Sequence, residues 1–547
     1  MYRTNAVALI IATLLCSLAA SGCTTQDELE IGEGDRLKQG IGKADTSAEA
    51  VFVNMKFHGH VMVSSSFNAK KQVEDQMLYT IGHLNGDRSV GRLDQLQLEN
   101  VETERVGDMT KISYDATLPV AWGDKDRVPA TYEFKLPADG SFSGYEKFTD
   151  KYNHDCIDRG AHDVTSGSMW YYYRPQNCSS LDDADIVTTT ATVSLSEINT
   201  TGKFPEYHKV WEDDVLRVVA VWGKYEDDAT SGDAGIDAYN RFVRAIKSEL
   251  SRHDVTTVPA EIPFSPGVDM PEVSFTASIG GGKSIEVVAL LVDNIRTAGA
   301  EFNARYEELS TRADMIAYNG HAGLGANIRA MARKGRWVAG QYAIMFINGC
   351  DTYAYVDSAL ADAHKAINPD DTTGHKYMDI VTNALPSFFR SMSAATLALV
   401  RGLLDYENPK NYEQIFARID RSQVVLVSGE QDNVYVPGFG EDDGNDDAVT
   451  DWAGFSEGGS VRENDEVRWQ TPKLAPGTYE FDMTGTRDAD LYVRVGTAPS
   501  KEVFDCRPFR TGSNETCRVT LTDASVVHVM VRGWAADSDY ELEASKR

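Results

Sequence analysis

Positive charge is scarce in this 547-residue chain: 53 Lys and Arg face 83 Asp and Glu, a formal net charge of -30. A surface that acidic repels phosphate backbones and anionic lipid head groups, so nucleic-acid binding is not expected. Glycine and proline are both modest, at 44 and 17, which excludes a collagen-like chain. Apolar residues make up 42% and charged residues 25%. These ordinary globular values exclude wholesale disorder and a multi-span membrane protein. At about 100–200 residues per domain, the length leaves room for about three or four domains.

Arg3 supplies a short positive start, and residues 6–20 form an apolar run too short to span a bilayer comfortably. The run ends in Leu18-Ala19-Ala20-Ser21-Gly22-Cys23. Small residues before a Cys at this place resemble the lipobox of bacterial lipoproteins, although Ala20 stands where that family usually has Leu. The resemblance implies a signal peptide over residues 1–22 and lipidation of Cys23 as the mature N-terminus. The alternative is an ordinary secretory signal with a chance Cys. Both export the protein, as an outer-membrane lipoprotein or in secreted form, and only a lipid at the N-terminus would touch a membrane. Residues 23–47 are polar and charged, with Gly32, Gly34, Gly40 and Gly42, and read as a flexible tether.

Cysteine is sparse, at seven residues, so each can be placed. Export means an oxidising compartment, where pairing is the default. Cys16 leaves with the signal and Cys23 takes the lipid. Cys156 and Cys178 lie in one loop-rich stretch and can close a short loop. Cys506 and Cys517 bracket a turn-rich segment with Pro508, Gly512 and Asn514. The expected bridges are therefore Cys156–Cys178 and Cys506–Cys517. Cys350 is left as a free thiol, either a buried inert side chain or a reactive one.

Residues 48–210 carry alternating segments at 51–53, 111–116, 130–136 and 186–195, which read as an antiparallel β-domain of unknown role. His58-Gly59-His60 shows no third ligand, so an ordinary strand is expected there and no metal. The pattern changes at residue 215. Near-continuous apolar runs at 215–222, 285–292, 314–318 and 342–347 read as strands buried on both faces. Helical patterns opening at Gly232-Asp233, around Phe302, Tyr306 and Leu309, and over 325–334 alternate with them. This is the pattern of a parallel α/β sheet with helices on both faces. Residues 378–419 read as mostly helical with a break at Pro386, and 423–427 as a closing strand. Gly280-Gly281-Gly282-Lys283-Ser284 has the ending of a phosphate loop, but Ala277 stands at its first Gly and a strand follows it, so no nucleotide cofactor is expected. Residues 438–454 form an acidic linker whose Asp/Asn spacing is not that of an EF-hand. Short strands recur from 455 to 547, as in a small β-sandwich.

The third strand runs into Asn319-Gly320-His321-Ala322-Gly323 and the fourth into Asn348-Gly349-Cys350-Asp351. Neighbouring parallel strands would bring both ends to the carboxyl edge of the sheet, where open α/β folds build their sites. A thiolate attacking a carbonyl needs a proton-transferring group and an oxyanion site. His321 supplies the first and small-residue turns the second.

The arrangement resembles the cysteine peptidases that include caspases, legumain, clostripain and gingipains. The resemblance covers residues 215–436 and implies a caspase-like α/β/α sandwich with a mostly parallel sheet over 211–437. It further implies Cys350 as nucleophile, His321 as base and acid, and oxyanion donors at the backbone N–H of Cys350 and of the Ala322-Gly323 turn. The family usually has Gly directly after the His, where this chain has Ala322. Asp351, Asp357, Glu430 and Asp432 lie near segments that line the cleft in such folds. An acid there would select a Lys or Arg side chain, but acids near any loop are expected in so acidic a chain, so specificity is left open.

The segments Pro476-Gly477-Thr478-Tyr479, Asp488-Ala489-Asp490-Leu491-Tyr492-Val493 and Val529-Met530-Val531-Arg532-Gly533 resemble the pre-peptidase C-terminal domain of exported bacterial proteases. The expected protein is multidomain: mainly β at the N-terminus, caspase-like in the centre, a β-sandwich at the C-terminus. Its expected function is an exported cysteine endopeptidase acting on protein or peptide substrates without a cofactor. The alternative is a catalytically inactive surface-binding or adhesin-like lipoprotein.

Overall fold

The computed structural model describes residues 45–429 except 66, 162 and 163; then 433, 435, 437 and 452; and finally 454–547 except 464, 465, 497, 498, 502 and 536. The signal segment, Cys23, Glu430, Asp432 and most of the linker lie outside the described residues.

The central sheet has nine strands. Five neighbours run parallel, in the order Lys283–Val292, Val215–Gly223, Met315–Asn319, Ala343–Asn348 and Met378–Asn383. Val425–Ser428 continues the sheet antiparallel beyond Met378–Asn383. The hairpin of Asp254–Val258 and Glu272–Gly280 extends the other edge. The parallel strands are largely apolar because helices cover both faces. Along Val215–Gly223 the side chains of Leu216, Val218, Ala220 and Trp222 meet Phe242 and Leu399 on one face. Val219 and Val221 meet Tyr306 and Met331 on the other.

Two stretches differ from expectation. Met378–Asn383, expected within a mostly helical stretch, is a buried strand, and the helix proper is Phe389–Leu404. The buried Asp379, its second residue, breaks the apolar run; its carboxylate accepts hydrogen bonds from the Tyr342 and Tyr412 hydroxyls. Thr46–Ser47, expected in the tether, pairs antiparallel with Val427 and Leu426 at the sheet edge. Both residues are buried, and a two-residue strand carries no pattern of its own.

The N-terminal sheet has six strands, with Val51–Val63 and Met109–Trp122 paired over thirteen positions at its centre. Its core is not self-contained. Tyr353, Ala354, Leu385 and Leu426 of the central domain belong to the same buried cluster as Phe52, Val90 and Phe134. At the C-terminus a four-stranded and a three-stranded sheet pack face to face around Trp469, Phe481, Leu491 and Val529. Cysteines pair as Cys156–Cys178 and Cys506–Cys517, and Cys350 is free. Among the described residues, no helix is long and apolar enough to cross a membrane.

Candidate active site

Met315–Asn319 and Ala343–Asn348 are parallel neighbours, with Asn319 directly opposite Asn348. His321 and Cys350 each follow two residues later, so both leave the sheet at the same edge and the same height. The two turns touch. A methyl group on Gly349 would lie 2.8 Å from the Gly320 carbonyl oxygen and 3.3 Å from the Ala322 nitrogen, so only glycine permits this approach.

Below the turns, buried asparagines close the ends of three adjacent strands. The Asn348 carboxamide donates to Asn319 Oδ1 at 2.9 Å and accepts from Asn383 Nδ2 at 3.0 Å. Asn348 Oδ1 also accepts from Ser387 Oγ and Gln423 Nε2, both at 2.9 Å. Thr396 Oγ1 donates to Asn319 Oδ1 at 2.7 Å. These bonds hold the strand ends in one geometry, because each lost bond leaves a costly orphan; the remaining atoms Asn319 Nδ2, Asn383 Oδ1 and Gln423 Oε1 are buried without a partner among the described residues. Sequence reasoning passed over these residues. The signal was an Asn at the last position of three successive parallel strands.

The His321 turn is fixed from below. Tyr318 Oη and Asn327 Nδ2 both donate to the His321 carbonyl, at 2.8 and 2.6 Å. The imidazole is exposed, with Tyr225 and Phe389 rings beside it at 5.2 and 5.4 Å. Its Nε2 lies 3.0 Å from the Tyr225 carbonyl oxygen. A carbonyl only accepts, so Nε2 carries the hydrogen and Nδ1 is left to exchange protons in the neutral ring. The Tyr225 backbone is held in turn by Asp233, expected only as a helix start. Its carboxylate accepts from the N–H groups of Tyr225, Glu226, Gly235 and Ile236 at 2.7–3.0 Å. Burial pushes the Asp233 carboxyl up, but those four donors bring it below the usual value.

Cys350 is partly buried, and its Sγ donates to the Ser387 carbonyl at 3.5 Å. Burial, then the neighbouring Asp351 carboxylate, push the thiol up to about 11. Among the described contacts the Cys350 and His321 side chains make no hydrogen bond with each other. Asp351 does not line an open cleft. It is fully buried, has φ 51°, and accepts from Asn85 Nδ2 of the N-terminal domain at 2.9 Å. Asp357 is paired with Arg329 at 3.0 Å. Beside the oxyanion candidate Ala322, which is buried, Gly323, Leu324 and Gly325 all have positive φ. Among the described residues no group of three or more His, Cys, Asp or Glu is placed to hold a metal ion.

Residues 468–533 match the family model of the bacterial pre-peptidase C-terminal domain, so that domain is present. Alkaline serine exoprotease A of Vibrio alginolyticus is 44% identical over 61 residues, 11% of this chain and 11% of that protein. A zinc metalloprotease of Helicobacter pylori is 45% identical over 58 residues, 11% of this chain and 23% of that protein. An extracellular protease of Xanthomonas campestris is 41% identical over 56 residues, 10% of each. The chain thus spans less than a quarter of the length of these relatives. The solution structure of vEP C-ter 100 aligns at 29% identity with a TM-score of 0.15, covering 17% of this chain and 93% of that one.

Proposed function

We propose that the chain is an exported cysteine endopeptidase with a caspase-like central domain. The observation that carries this is the common register of His321 and Cys350, each two residues beyond the paired Asn319 and Asn348 on parallel neighbours. The sheet order, with the antiparallel Val425–Ser428 following five parallel strands, is consistent with it. The protease relatives of the C-terminal domain support an exported protein acting on protein substrates, though the named ones are serine and metallo enzymes.

In this reading Cys350 Sγ passes its proton to His321 Nδ1 and bonds to the substrate carbonyl carbon. The oxyanion takes backbone N–H groups at Cys350 and the Ala322-Gly323 turn. The C–N bond then breaks as the imidazolium gives its proton to the leaving amine, and water hydrolyses the thioester. The Tyr225 carbonyl steadies the imidazolium through Nε2–H. Lipidation of Cys23 is part of the proposal and anchors the mature protein. Hydrolysis of a mixed peptide library by the purified protein tests it: Cys350→Ala and His321→Ala should each abolish turnover, and the losses should not add. The second reading, an inactive surface-binding lipoprotein, is favoured by burial that pushes the thiol up to about 11 and by the hydrogen bond from Asn85 of the N-terminal domain to the neighbouring Asp351. It prevails if neither wild type nor any variant turns over.

A further inference from the structure

The row of residues along the site edge continues past His321. Asn319 lies opposite Trp222 on the Val215–Gly223 strand, and Trp222 lies opposite Leu291 on the Lys283–Val292 strand. Two residues further on, Cys350, His321, Lys224 and Asp293 therefore leave four successive strands at one height. Lys224 and Asp293 form an ion pair at the far end of this row. Tyr225 follows Lys224, and its carbonyl is the one that meets His321 Nε2 at 3.0 Å. The ion pair helps to line a cavity of about 320 Å³, a volume at the lower end of the range for ligand sites. Val268, Pro271, Leu291 and Phe302 give it apolar walls. Phe302 belongs to the helix Ala300–Ser310 and stacks on the buried Tyr306 at 5.9 Å. Pro271 is tied to the strand end, its carbonyl accepting from the Leu291 N–H at 2.7 Å. Walls held in this way are formed before any ligand arrives.

We propose that this cavity binds an apolar side chain from the leaving-group half of a peptide substrate. The inference rests on the reading of Cys350 as nucleophile and His321 as proton donor. The thiol takes the acyl carbon and the imidazole protonates the amine, so the leaving half departs on the His321 side. The strands on that side are Val215–Gly223 and then Lys283–Val292, and the cavity sits at their carboxyl ends. The gap between those two strands lies two and a half strand spacings from the Cys350 strand, about 12 Å. At about 3.3 Å per extended residue, about the third or fourth residue after the cut reaches it. The lining selects the class of side chain. Asp293 already neutralises Lys224, so a carboxylate or ammonium would have to break that pair, whereas Leu, Ile or Phe buries against the walls without doing so.

The test is a mixed peptide library digested by the full chain, with every cut mapped by mass spectrometry. Leu, Ile or Phe should be enriched about tenfold over Ser at the third or fourth residue after the cut, the discrimination expected from burying one such side chain. Ala298→Phe, which adds a ring to the cavity lining, should abolish that enrichment. Phe302→Ala, which removes a wall, should reduce it if the first variant fails to fold. No enrichment there, or enrichment of Asp, Glu, Lys or Arg, overturns the subsite. A second arm needs no hydrolysis: a fluorescent Gly-Gly-Leu-Leu-Gly peptide is titrated into Cys350→Ala and into the double variant that adds Ala298→Phe. Binding to the first about tenfold tighter than to the second, without hydrolysis by wild type, keeps the cavity as a peptide site and removes the peptidase reading. Hydrolysis by wild type with no preference at these positions keeps the peptidase reading and removes the subsite. Neither binding nor hydrolysis removes both.

Discussion

Asn348 Nδ2 donates to Asn319 Oδ1 at 2.9 Å, joining the ends of the two strands that lead to Cys350 and His321. Asn348 is fully buried and serves three further donors from Asn383, Ser387 and Gln423. Asn348→Ala would remove all of these bonds at a buried site, at a cost of about 3 kcal/mol or more, although Asn383 Nδ2 keeps the Gly349 carbonyl and Gln423 Nε2 keeps Ser387 Oγ. Urea unfolding should show that loss. In the fraction still folded, kcat should fall more than KM, because the turns lose register while the substrate-binding surface stays.

Gly349→Ala tests the contact between the turns. Its methyl group would meet the Gly320 carbonyl at 2.8 Å and the Ala322 nitrogen at 3.3 Å, so the turns must part. The expected result is a folded protein with peptide hydrolysis reduced by about 100-fold, as misplacement by about 1 Å predicts. Unchanged hydrolysis would mean that the turns do not work together.

Asp233→Ala removes the anchor of the Tyr225 backbone and the cap of the Ala234–Glu249 helix. Loss of such a cap costs about 1–2 kcal/mol. The Asp233 carboxyl sits below its usual value in the folded protein. Its contribution is present above the unfolded value and disappears as pH falls through the folded one. The gap between wild type and Asp233→Ala should therefore close in acid, which thermal melts at descending pH would reveal. Asp233→Asn should restore part of the helix cap.

Asp351 behaves in the opposite sense. Burial raises its carboxyl from 3.8 to about 7, despite the Asn85 hydrogen bond and the nearby Arg174 charge. The folded state holds this proton more tightly than the unfolded state, so stability declines as pH rises from about 4 to about 7. Asp351→Asn should lack that decline, and denaturant titrations at pH 5 and pH 8 would separate the two proteins. The charged carboxylate also holds the Cys350 thiol up. The same variant should shift Cys350 alkylation toward lower pH.

The parallel strands were legible because burial on both faces writes a continuous apolar run, as at 215–222 and 342–347. Asp379 hid the strand Met378–Asn383: a charge is the expected mark of a surface position, and nothing local announces the two tyrosine hydroxyls that pair with it. His321 and Cys350 were legible because small residues surround each at a strand end. Asn85 and Asp351 were not, since 266 residues separate these hydrogen-bonded partners and no spacing rule spans that distance.

Trapping the acyl-enzyme tests the central claim most directly. Wild type is mixed with an activated peptide ester, quenched in acid within the first turnover, digested and mapped by mass spectrometry. The acyl group should appear on Cys350 as a thioester that hydroxylamine removes, and Cys350→Ala should acquire none. Peptide hydrolysis by Cys350→Ala at the wild-type rate, or an acyl group on another side chain in its place, would contradict the assignment of Cys350 as the nucleophile.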